Sequence, residues 1–483
     1  MTACDLLFRR VRLVRPGPDT APELHDLAVA DGRFVAIAHE LPTSGARHVV
    51  DARGLLGFPG LVDAHTHVGI YRPLPDDARS ESAAAAAGGV TSMLSYMRTG
   101  ECYLERGGPY RDFYPEVLRQ SAGNYHTDYG YHLAPITAQH LGELEHLACD
   151  HGVASFKIFM FYGGHGLHGA SDRQRDFLRL GPDDHYDLAH FEFIMRALAE
   201  LQARRPGLRL SLSLHCELPD ILAAYTRIVQ REGKLHGLPA YNASRPPHAE
   251  AMAIFLAAYL AHETCFPTIN LLHLSSRKAL AAAAMMVDLF PHLDIRRELT
   301  LGHLLLDDQN PAGAHAKVNP PLRSRDDVEA LWQALLAGDI DWVCSDHACC
   351  ASEHKQGAHD IFAARSGFGG AEYLLPALVS EGGRRGLSLN RVAQLLSLNP
   401  ARRFGLSPDK GDIAVGCDAD LVLLDPERTF TIHAADSPSA QGHTPFEGLE
   451  LRGQVEQTWL RGQLIHQRGA PPGAPRGRYL HRS

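Results

Sequence analysis

Short apolar runs alternate with helical stretches through the middle of this 483-residue chain. Such alternation implies a parallel sheet with right-handed crossovers, and a (β/α)8 barrel of the TIM type is its most economical form. A doubly wound open sheet is the alternative, but no glycine fingerprint follows the first strand. The apolar runs are 91–94, 131–136, 155–159, 208–214, 268–274 and 341–345, and the clearest helical stretches are 186–204, 249–262 and 326–336.

Short strands at both ends of the chain predict a second, smaller domain. Strand-like runs separated by Gly, Pro and Asp fill residues 3–53, a segment too small to bury its own faces. The runs at 419–424 and 455–465 would complete a β-sandwich with it; two unrelated hairpin extensions are the alternative. The expected domains are a β-sandwich built from 1–57 and 409–470, a hydrolase barrel at 58–408, and an extended tail at 471–483.

Composition excludes several partners. A net charge of −9 gives no basic surface for nucleic acid or an anionic membrane. No stretch reaches the ~20 apolar residues of a membrane span, and the first residues mix arginines into an apolar run, unlike a signal peptide. The nine cysteines are scattered without CxxC spacing, which indicates reduced thiols. We therefore expect a cytoplasmic protein.

The strongest local motif is GLLGFPGLVDAHTHVG at residues 54–69. A turn-prone Gly-Phe-Pro-Gly leads into a short apolar strand that ends on His65 and His67. Residues i and i+2 of a strand point to the same face, so both imidazoles can bind one metal ion. The alternative is a polar strand face.

Four further side chains lie in or at the end of later apolar runs: Lys157, His215, His273 and Asp346. In a barrel, functional residues collect at the carboxyl ends of the strands. Each residue alone has a structural interpretation, as a snorkelling lysine, a hydrogen-bonded core histidine or a helix cap. Together they predict one site.

In this order, the motifs resemble those of the amidohydrolase superfamily, specifically the cyclic amidohydrolases: hydantoinase/dihydropyrimidinase, allantoinase and dihydroorotase. The resemblance covers nearly the whole chain. The matching motifs are GFPGLVDAHTHVG, SFKIFMFY, LHCE, ASRPPHAEAMAI, LLHLSS, ELTLGHLLLDD, KVNPPLRS, SDHACC, SLNPARRFGL, KGDIAVGCDADLVLLDP and TPFEGLELRGQVEQTWLRGQLI.

The resemblance implies two divalent metal ions, expected to be Zn²⁺, and a bridging hydroxide that attacks the substrate. Asp346 would complete the first metal site and exchange a proton between the nucleophile and the leaving nitrogen. Lys157, carboxylated on its amine, would bridge the ions, since burial near positive charge favours the neutral amine that takes up CO2. The histidines at 65 and 67 would bind the first ion, and those at 215 and 273 the second.

A few positions separate the branches of this family. Tyr162 matches the tyrosine that hydrogen-bonds the developing oxyanion in hydantoinases; loop packing is the alternative. Gly69 stands where dihydroorotases carry an arginine. Against a hydantoinase, Asn319 replaces the usual serine and Leu218 the common asparagine. We expect Tyr162, Asn319 and His347 to contact the substrate.

The segment 163–184 is longer than the family norm and should lie over the active-site mouth. His165 and His168 within it suggest either a further metal site or a glycine-rich surface loop, and we favour the loop. Cys349 and Cys350, beside the site, are expected to pack rather than to react.

The sequence thus predicts an enzyme that hydrolyses an amide bond of a small cyclic amide, ureide or imide, such as a hydantoin or a dihydropyrimidine. The resemblance also implies a homo-oligomer, dimer or tetramer. An allantoinase or dihydroorotase-like activity is the alternative within the family. A non-catalytic scaffold is the alternative outside it, and the retained ligand set argues against that.

Overall fold

A computed structural model of the chain describes residues 4–163, 174–355 and 360–482. Its strands form two sheets, one from the two ends of the chain and one from the middle. The strands are β1 (Cys4–Leu13), β2 (Glu23–Ala30), β3 (Arg33–Ala38), β4 (Ala46–Asp51), β5 (Leu56–Pro59), β6 (Leu61–His67), β7 (Val90–Met97), β8 (Asp128–Leu133), β9 (Ser155–Phe159), β10 (Ser211–His215), β11 (Thr268–Leu271), β12 (Asp294–Thr300), β13 (Trp342–Cys344), β14 (His347–Ala348), β15 (Leu421–Thr431), β16 (Glu450–Leu460) and β17 (Gln463–Gln467).

Strands β6 to β13 lie side by side in chain order and pair in parallel. The ring closes through the eighth strand, which Ser345 and Asp346 divide into β13 and β14. The first part pairs with β12, whereas β14 pairs with β6, so that His347 lies opposite Thr66. The prediction of a (β/α)8 barrel is therefore confirmed, and the open sheet is excluded.

Helices follow the barrel strands and cover the outside of the ring. Several begin at a side-chain cap: Asp187, Ser276 and Ser324 each accept a hydrogen bond from the backbone N–H three residues later. No helix among the described residues is long and apolar enough to cross a membrane. The helices are α1 (Leu74–Ala87), α2 (Tyr110–Ser121), α3 (Ala138–Leu141), α4 (Leu144–His151), α5 (Gln174–Leu178), α6 (Leu188–Arg204), α7 (Pro219–Glu232), α8 (Gly237–Ser244), α9 (Pro247–Glu263), α10 (Arg277–Leu289), α11 (Leu301–Leu305), α12 (Arg325–Ala337), α13 (Leu374–Ala377), α14 (Leu389–Ala393) and α15 (Asn399–Arg403).

The two ends of the chain build one small β domain, as the strand patterns predict. Its sheet has the order β17-β16-β15-β5-β1-β2-β3, with β4 on β1. Strand β5 joins the halves, because it pairs with β1 on one side and with β15 on the other. Phe8, Phe34 and Leu421 are buried in its core, and Trp459 packs edge-on against Phe8.

The last residues pack against the amino-terminal end of the barrel. Tyr479 pairs with Tyr129 of β8 in an isolated bridge and donates its hydroxyl to the carbonyl of His151 at 2.6 Å. Arg482 is fully buried, and its guanidinium lies 2.6 Å from Oγ of Ser155 in β9. The tail therefore covers the end of the barrel opposite the carboxyl ends of its strands.

Candidate active site

The carboxyl ends of the barrel strands bring the predicted ligand residues together. Oδ1 of Asp346 lies 3.2 Å from Nε2 of His65 and 3.3 Å from Nε2 of His67. Nζ of Lys157 lies 3.2 Å from the same Nε2 of His65. Two side chains from distant parts of the chain, Asp346 and Lys157, thus converge on a single imidazole nitrogen, Nε2 of His65.

The other two histidines complete the group. The rings of His215 and His273 are 4.3 Å apart between centroids, and His273 is 5.5 Å from the ring of His65. His273 and Asp346 have left-handed backbones, with φ of 38° and 53°. Such conformations cost about 1–3 kcal/mol for ordinary residues and concentrate at functional sites.

In three of the four histidines, one ring nitrogen lies at hydrogen-bond distance from a neighbouring side chain. Nδ1 of His65 lies 2.8 Å from Glu298, and Nε2 of His215 lies 2.7 Å from Glu217. The hydroxyl of Tyr103 lies 2.7 Å from Nδ1 of His67. These partners fix the orientation of each ring, and the opposite nitrogen is then the one that can bind a metal ion.

The fourth histidine shows what such a site requires. His273 is 1% exposed, and neither ring nitrogen has a hydrogen-bond partner among the described residues. A buried imidazole without a partner is costly, and a metal ion would satisfy it. Four imidazoles and a carboxylate are a donor set that suits Zn²⁺, so these residues fit a metal site.

Burial sets the protonation states that metal binding needs. It lowers the pKa of His65, His67 and His273, and it lowers the pKa of His215 to about 4, so all four rings are neutral at pH 7. Burial also lowers the pKa of Lys157 to about 8, which makes a neutral amine accessible near neutral pH.

Asp346 stays ionised in the same surroundings. Burial alone would raise its pKa, but the nearby ring of His65 and the hydrogen bond with His67 hold the pKa below its usual value. The carboxylate can therefore bind a cation or accept a proton.

A narrow cavity opens beside these residues, and two of the three predicted substrate contacts, Tyr162 and Asn319, line it. Its remaining wall is mostly aromatic or aliphatic. Apart from Lys157, no described lining residue carries a cationic side chain. The other lining residues include Ile70, Tyr71, Tyr103, Phe159, Phe161, Val318 and Ser366.

Tyr162 lies on a 3-10 turn, Met160–Gly163, directly after β9. Its ring stacks on Phe159 at 4.7 Å, and the guanidinium of the buried Arg98 lies 5.2 Å from its centroid. Burial raises the pKa of Tyr162, so the hydroxyl stays protonated and can donate a hydrogen bond.

His347, the third predicted substrate contact, is not among the residues that line the cavity. Nε2 of His347 lies 2.7 Å from Glu81, and Nδ1 accepts the backbone N–H groups of Gly370 and Ala371 at 3.2 and 3.3 Å. The ring is fully buried and ties α1 to the segment before α13. It is placed as a structural residue.

The cysteines beside the site are also placed for packing. Cys349 and Cys350 are fully buried, and burial raises the pKa of both thiols, which disfavours the reactive thiolate. The predictions for His165 and His168, and for most of the loop around them, fall outside the described residues.

Sequence reasoning missed two supports of the site. Glu298 had a weak signal, as a carboxylate that opens the motif ELTLGHLLLDD, whereas its burial in β12 is known only from the structure. Tyr103 had none. It is one of four consecutive residues with a left-handed backbone, 102–105, with φ between 52° and 68°. This turn contains no glycine from which it could be predicted.

Comparisons with known proteins agree with this geometry. The sequence model of the family described as "Amidohydrolase family" matches residues 210–465 of this chain. The chain is 35% identical to an allantoinase of Rubrobacter xylanophilus, covering 99% of this chain and 98% of the relative. It is 31% identical to a D-hydantoinase of Rhizobium radiobacter, covering 93% of each.

Solved structures show the same overall fold. A crystal structure of a D-hydantoinase superposes with a TM-score of 0.85 at 27% identity, covering 99% of this chain and 98% of the other. A dihydropyrimidinase from Brevibacillus agri superposes with a TM-score of 0.84 at 28% identity, with the same coverage.

Proposed function

The chain belongs to the amidohydrolase family, and on this premise we propose that its cavity holds two divalent metal ions, expected to be Zn²⁺, where the ring of a cyclic amide is opened. The predicted enzyme class, a cyclic amidohydrolase, is confirmed by relatives named allantoinase and D-hydantoinase.

The observation that carries the metal proposal is the buried, unpartnered imidazole of His273 beside His65, His215 and Lys157. We propose that His65, His67 and Asp346 hold one ion and that His215 and His273 hold the other. Lys157, placed between the groups and carrying an accessible neutral amine, would be carboxylated and bridge them. When bound, such a pair polarises the substrate carbonyl and lowers the pKa of water to near neutrality.

The remaining steps belong to side chains of this chain. Water adds to the ring carbonyl carbon, and the ring C–N bond breaks to give a carboxylate and a free nitrogen group. Asp346, ionised and next to both imidazoles of β6, would accept the proton from water and deliver it to the leaving nitrogen. Tyr162 would donate a hydrogen bond from its hydroxyl to the carbonyl oxygen as charge develops there.

The cavity wall favours a hydantoin or dihydropyrimidine with an apolar ring substituent. Phe159, Phe161 and Val318 offer apolar surface, while Lys157 is the only cation among the described lining residues and is assigned to the metals. A ring that carries its own carboxylate, as dihydroorotate does, would lack a counter-ion there. Allantoin is the second candidate, because the relative from Rubrobacter is named an allantoinase.

Two measurements on the purified enzyme test the proposal. Elemental analysis should find about two divalent ions per chain; one ion or none in fully active protein would contradict the two-metal site. A ring-opening panel of hydantoin, 5-substituted hydantoins, dihydrouracil, allantoin, dihydroorotate and succinimide should show the highest kcat/KM for one of the first three. Metal-loaded protein that opens none of these rings would favour the non-catalytic scaffold.

We also propose that the chain forms a homodimer or homotetramer. Helices on one side of the barrel expose large apolar side chains: Phe193 on α6 and Tyr259 on α9 are each 53% exposed, and Leu289 on α10 is 62% exposed. Light scattering that finds a monomer at micromolar concentration would contradict this. The cytoplasmic location stays a prediction, for which cell fractionation is the test.

A further inference from the structure

We infer that the small β domain binds a further divalent metal ion, Zn²⁺, between Glu23, His25 and His39. This site, which we call the β-domain metal site, lies outside the barrel and does not depend on the proposed function. One ring nitrogen of each histidine and one carboxylate oxygen of Glu23 all lie within 4.8 Å of one another. Two imidazoles and a carboxylate are a donor set that suits Zn²⁺, with water in its remaining position.

The antiparallel strands β2 and β3 bring the three side chains together. Asp26 of β2 pairs with Ala38 of β3. Continuing this register by one residue puts His25 opposite His39. Glu23 and His25 are two residues apart on β2, so their side chains point to the same face of the sheet. Directly opposed residues of this kind have Cβ atoms about 4.5–5.5 Å apart, which is close enough to share one ion.

Backbone carbonyls set the position of the proton on each ring. Nδ1 of His25 lies 3.1 Å from the carbonyl oxygen of Glu23, and Nδ1 of His39 lies 3.1 Å from the carbonyl oxygen of Leu24. A carbonyl only accepts, so each Nδ1 carries the proton and each neutral ring keeps its lone pair on Nε2. Histidines that bind metal ions are held in this way, with the other ring nitrogen donating to a carbonyl or a carboxylate.

The backbone that carries His39 is fixed against its neighbours. The carboxylate of the buried Asp26 accepts the backbone N–H of Leu41 at 3.0 Å and that of Arg10 at 2.9 Å. This carboxylate ties the segment after β3 to both β2 and β1, at the residue next to His25. The end of β3 therefore has a defined position that does not depend on an ion, although β3 is an outer strand of the sheet.

The two rings are already close to the separation that an ion needs. They stack with centroids 4.4 Å apart and 28° between their planes. Tetrahedral Zn²⁺ with bonds of about 2.0 Å holds its ligand atoms roughly 3.3 Å apart, so separations of up to 4.8 Å must shorten by at most about 1.5 Å. Glu23 and His39 are exposed, and exposed side chains can make this movement by rotation. Stacking of the two rings for packing alone is the alternative.

An exposed site with three protein ligands should hold its ion less tightly than the buried residues of the barrel. We expect a Kd of about 10 µM. A weak chelator therefore removes this ion first, and the expected count of about two ions in purified enzyme is unchanged. When bound, the ion joins the outer strand β3 to β2 and stabilises that edge of the β domain by mass action.

The test uses the full-length protein after dialysis against a weak chelator. Calorimetric titration with ZnCl2 should show that wild type takes up one equivalent more than the double variant His25→Ala/His39→Ala, whatever the barrel holds. Glu23→Gln should weaken this uptake about tenfold. His262→Ala is the matched control and should bind like wild type. His262 and His292 are also a surface pair, but Nδ1 of the first lies 3.0 Å from Nε2 of the second, so these two nitrogens face each other.

Two results would overturn the inference. One is equal Zn²⁺ uptake by wild type and the double variant, which would leave His25 and His39 as a packing pair. The other is an equal loss of uptake in His262→Ala, which would show non-specific binding by surface histidines. Far-UV circular dichroism and Tm check that each variant is folded. The ring-opening assay is independent of this site, so its failure would contradict the proposed function alone.

Discussion

Oε1 of Glu298 lies 2.8 Å from Nδ1 of His65, and the same oxygen accepts the backbone N–H of His273 at 3.2 Å. Oε2 of this carboxylate accepts the indole N–H of Trp342 at 2.8 Å. One buried side chain thus holds a proposed ligand of each metal ion. Carboxylates in this position orient a histidine and raise its basicity toward the metal.

Glu298→Gln should therefore weaken metal binding without unfolding the barrel. Glutamine has the same shape but only one acceptor oxygen, so it cannot serve His65, His273 and Trp342 together. We expect Zn²⁺ affinity to fall about 10- to 100-fold and kcat to recover at saturating metal. Competition with a chelator measures the affinity.

Glu250→Gln is the control for this substitution. Glu250 is also buried, but it binds Ser275 and lies near Arg323, away from the histidines. Equal losses of Zn²⁺ affinity in both variants would assign the effect to general destabilisation of the barrel.

Lys157→Ala should lose both activity and most of the bound metal, because the substitution removes the proposed bridging anion. Added short-chain carboxylic acids together with Zn²⁺ should restore part of the activity, since their carboxylates can occupy the space of the carbamate. Elemental analysis and a ring-opening assay measure the two losses. Full activity in the alanine variant would contradict the bridging role.

The strand ends were predictable because barrel geometry makes their positions regular. His65, His67 and Asp346 could be placed at one edge from the apolar runs alone. His347 shows the limit of this reasoning, since adjacent residues at a strand end can face opposite ways, and its ring binds Glu81.

Contacts between segments far apart in the chain could not be predicted from the sequence. Tyr103 reaches His67 through an unusual left-handed turn, and Tyr241 meets Asn319 across 78 positions of chain. Neither contact follows from periodicity, because each depends on how one irregular segment packs against a distant strand or helix.

A buried lysine near the cavity should make stability depend on pH. Lys355 is 2% exposed, its Nζ donates to the carbonyl of Lys317 at 3.2 Å, and burial lowers its pKa from 10.5 to about 8. The unfolded chain therefore holds this proton more tightly. The resulting cost, roughly 3 kcal/mol below pH 8, should disappear as pH rises toward 10.5.

Lys355→Met keeps the length of the side chain and removes its charge. At pH 7 we expect the free energy of unfolding to rise by about 2 kcal/mol, the relieved cost less one hydrogen bond, with no gain near pH 10.5. Urea unfolding at both pH values measures this, and Lys278→Met on the exposed face of α10 is the control. A gain that is the same at both pH values would show that charge burial is not its cause.

Tyr162→Phe is the prediction that separates hydantoinase-like chemistry from its relatives. The ring is held by Phe159 and Arg98, so phenylalanine should keep the packing and lose only the hydroxyl. If that hydroxyl meets the carbonyl oxygen as charge develops, its loss should lower kcat by about 10²–10³, or 3–4 kcal/mol, with a smaller change in KM and unchanged metal content. Steady-state kinetics on the best ring substrate, with elemental analysis of the same preparation, measure these quantities. Near-normal kcat would leave Tyr162 as a packing residue of the cavity wall, and the preference for hydantoins would then rest on Gly69 and the apolar lining alone.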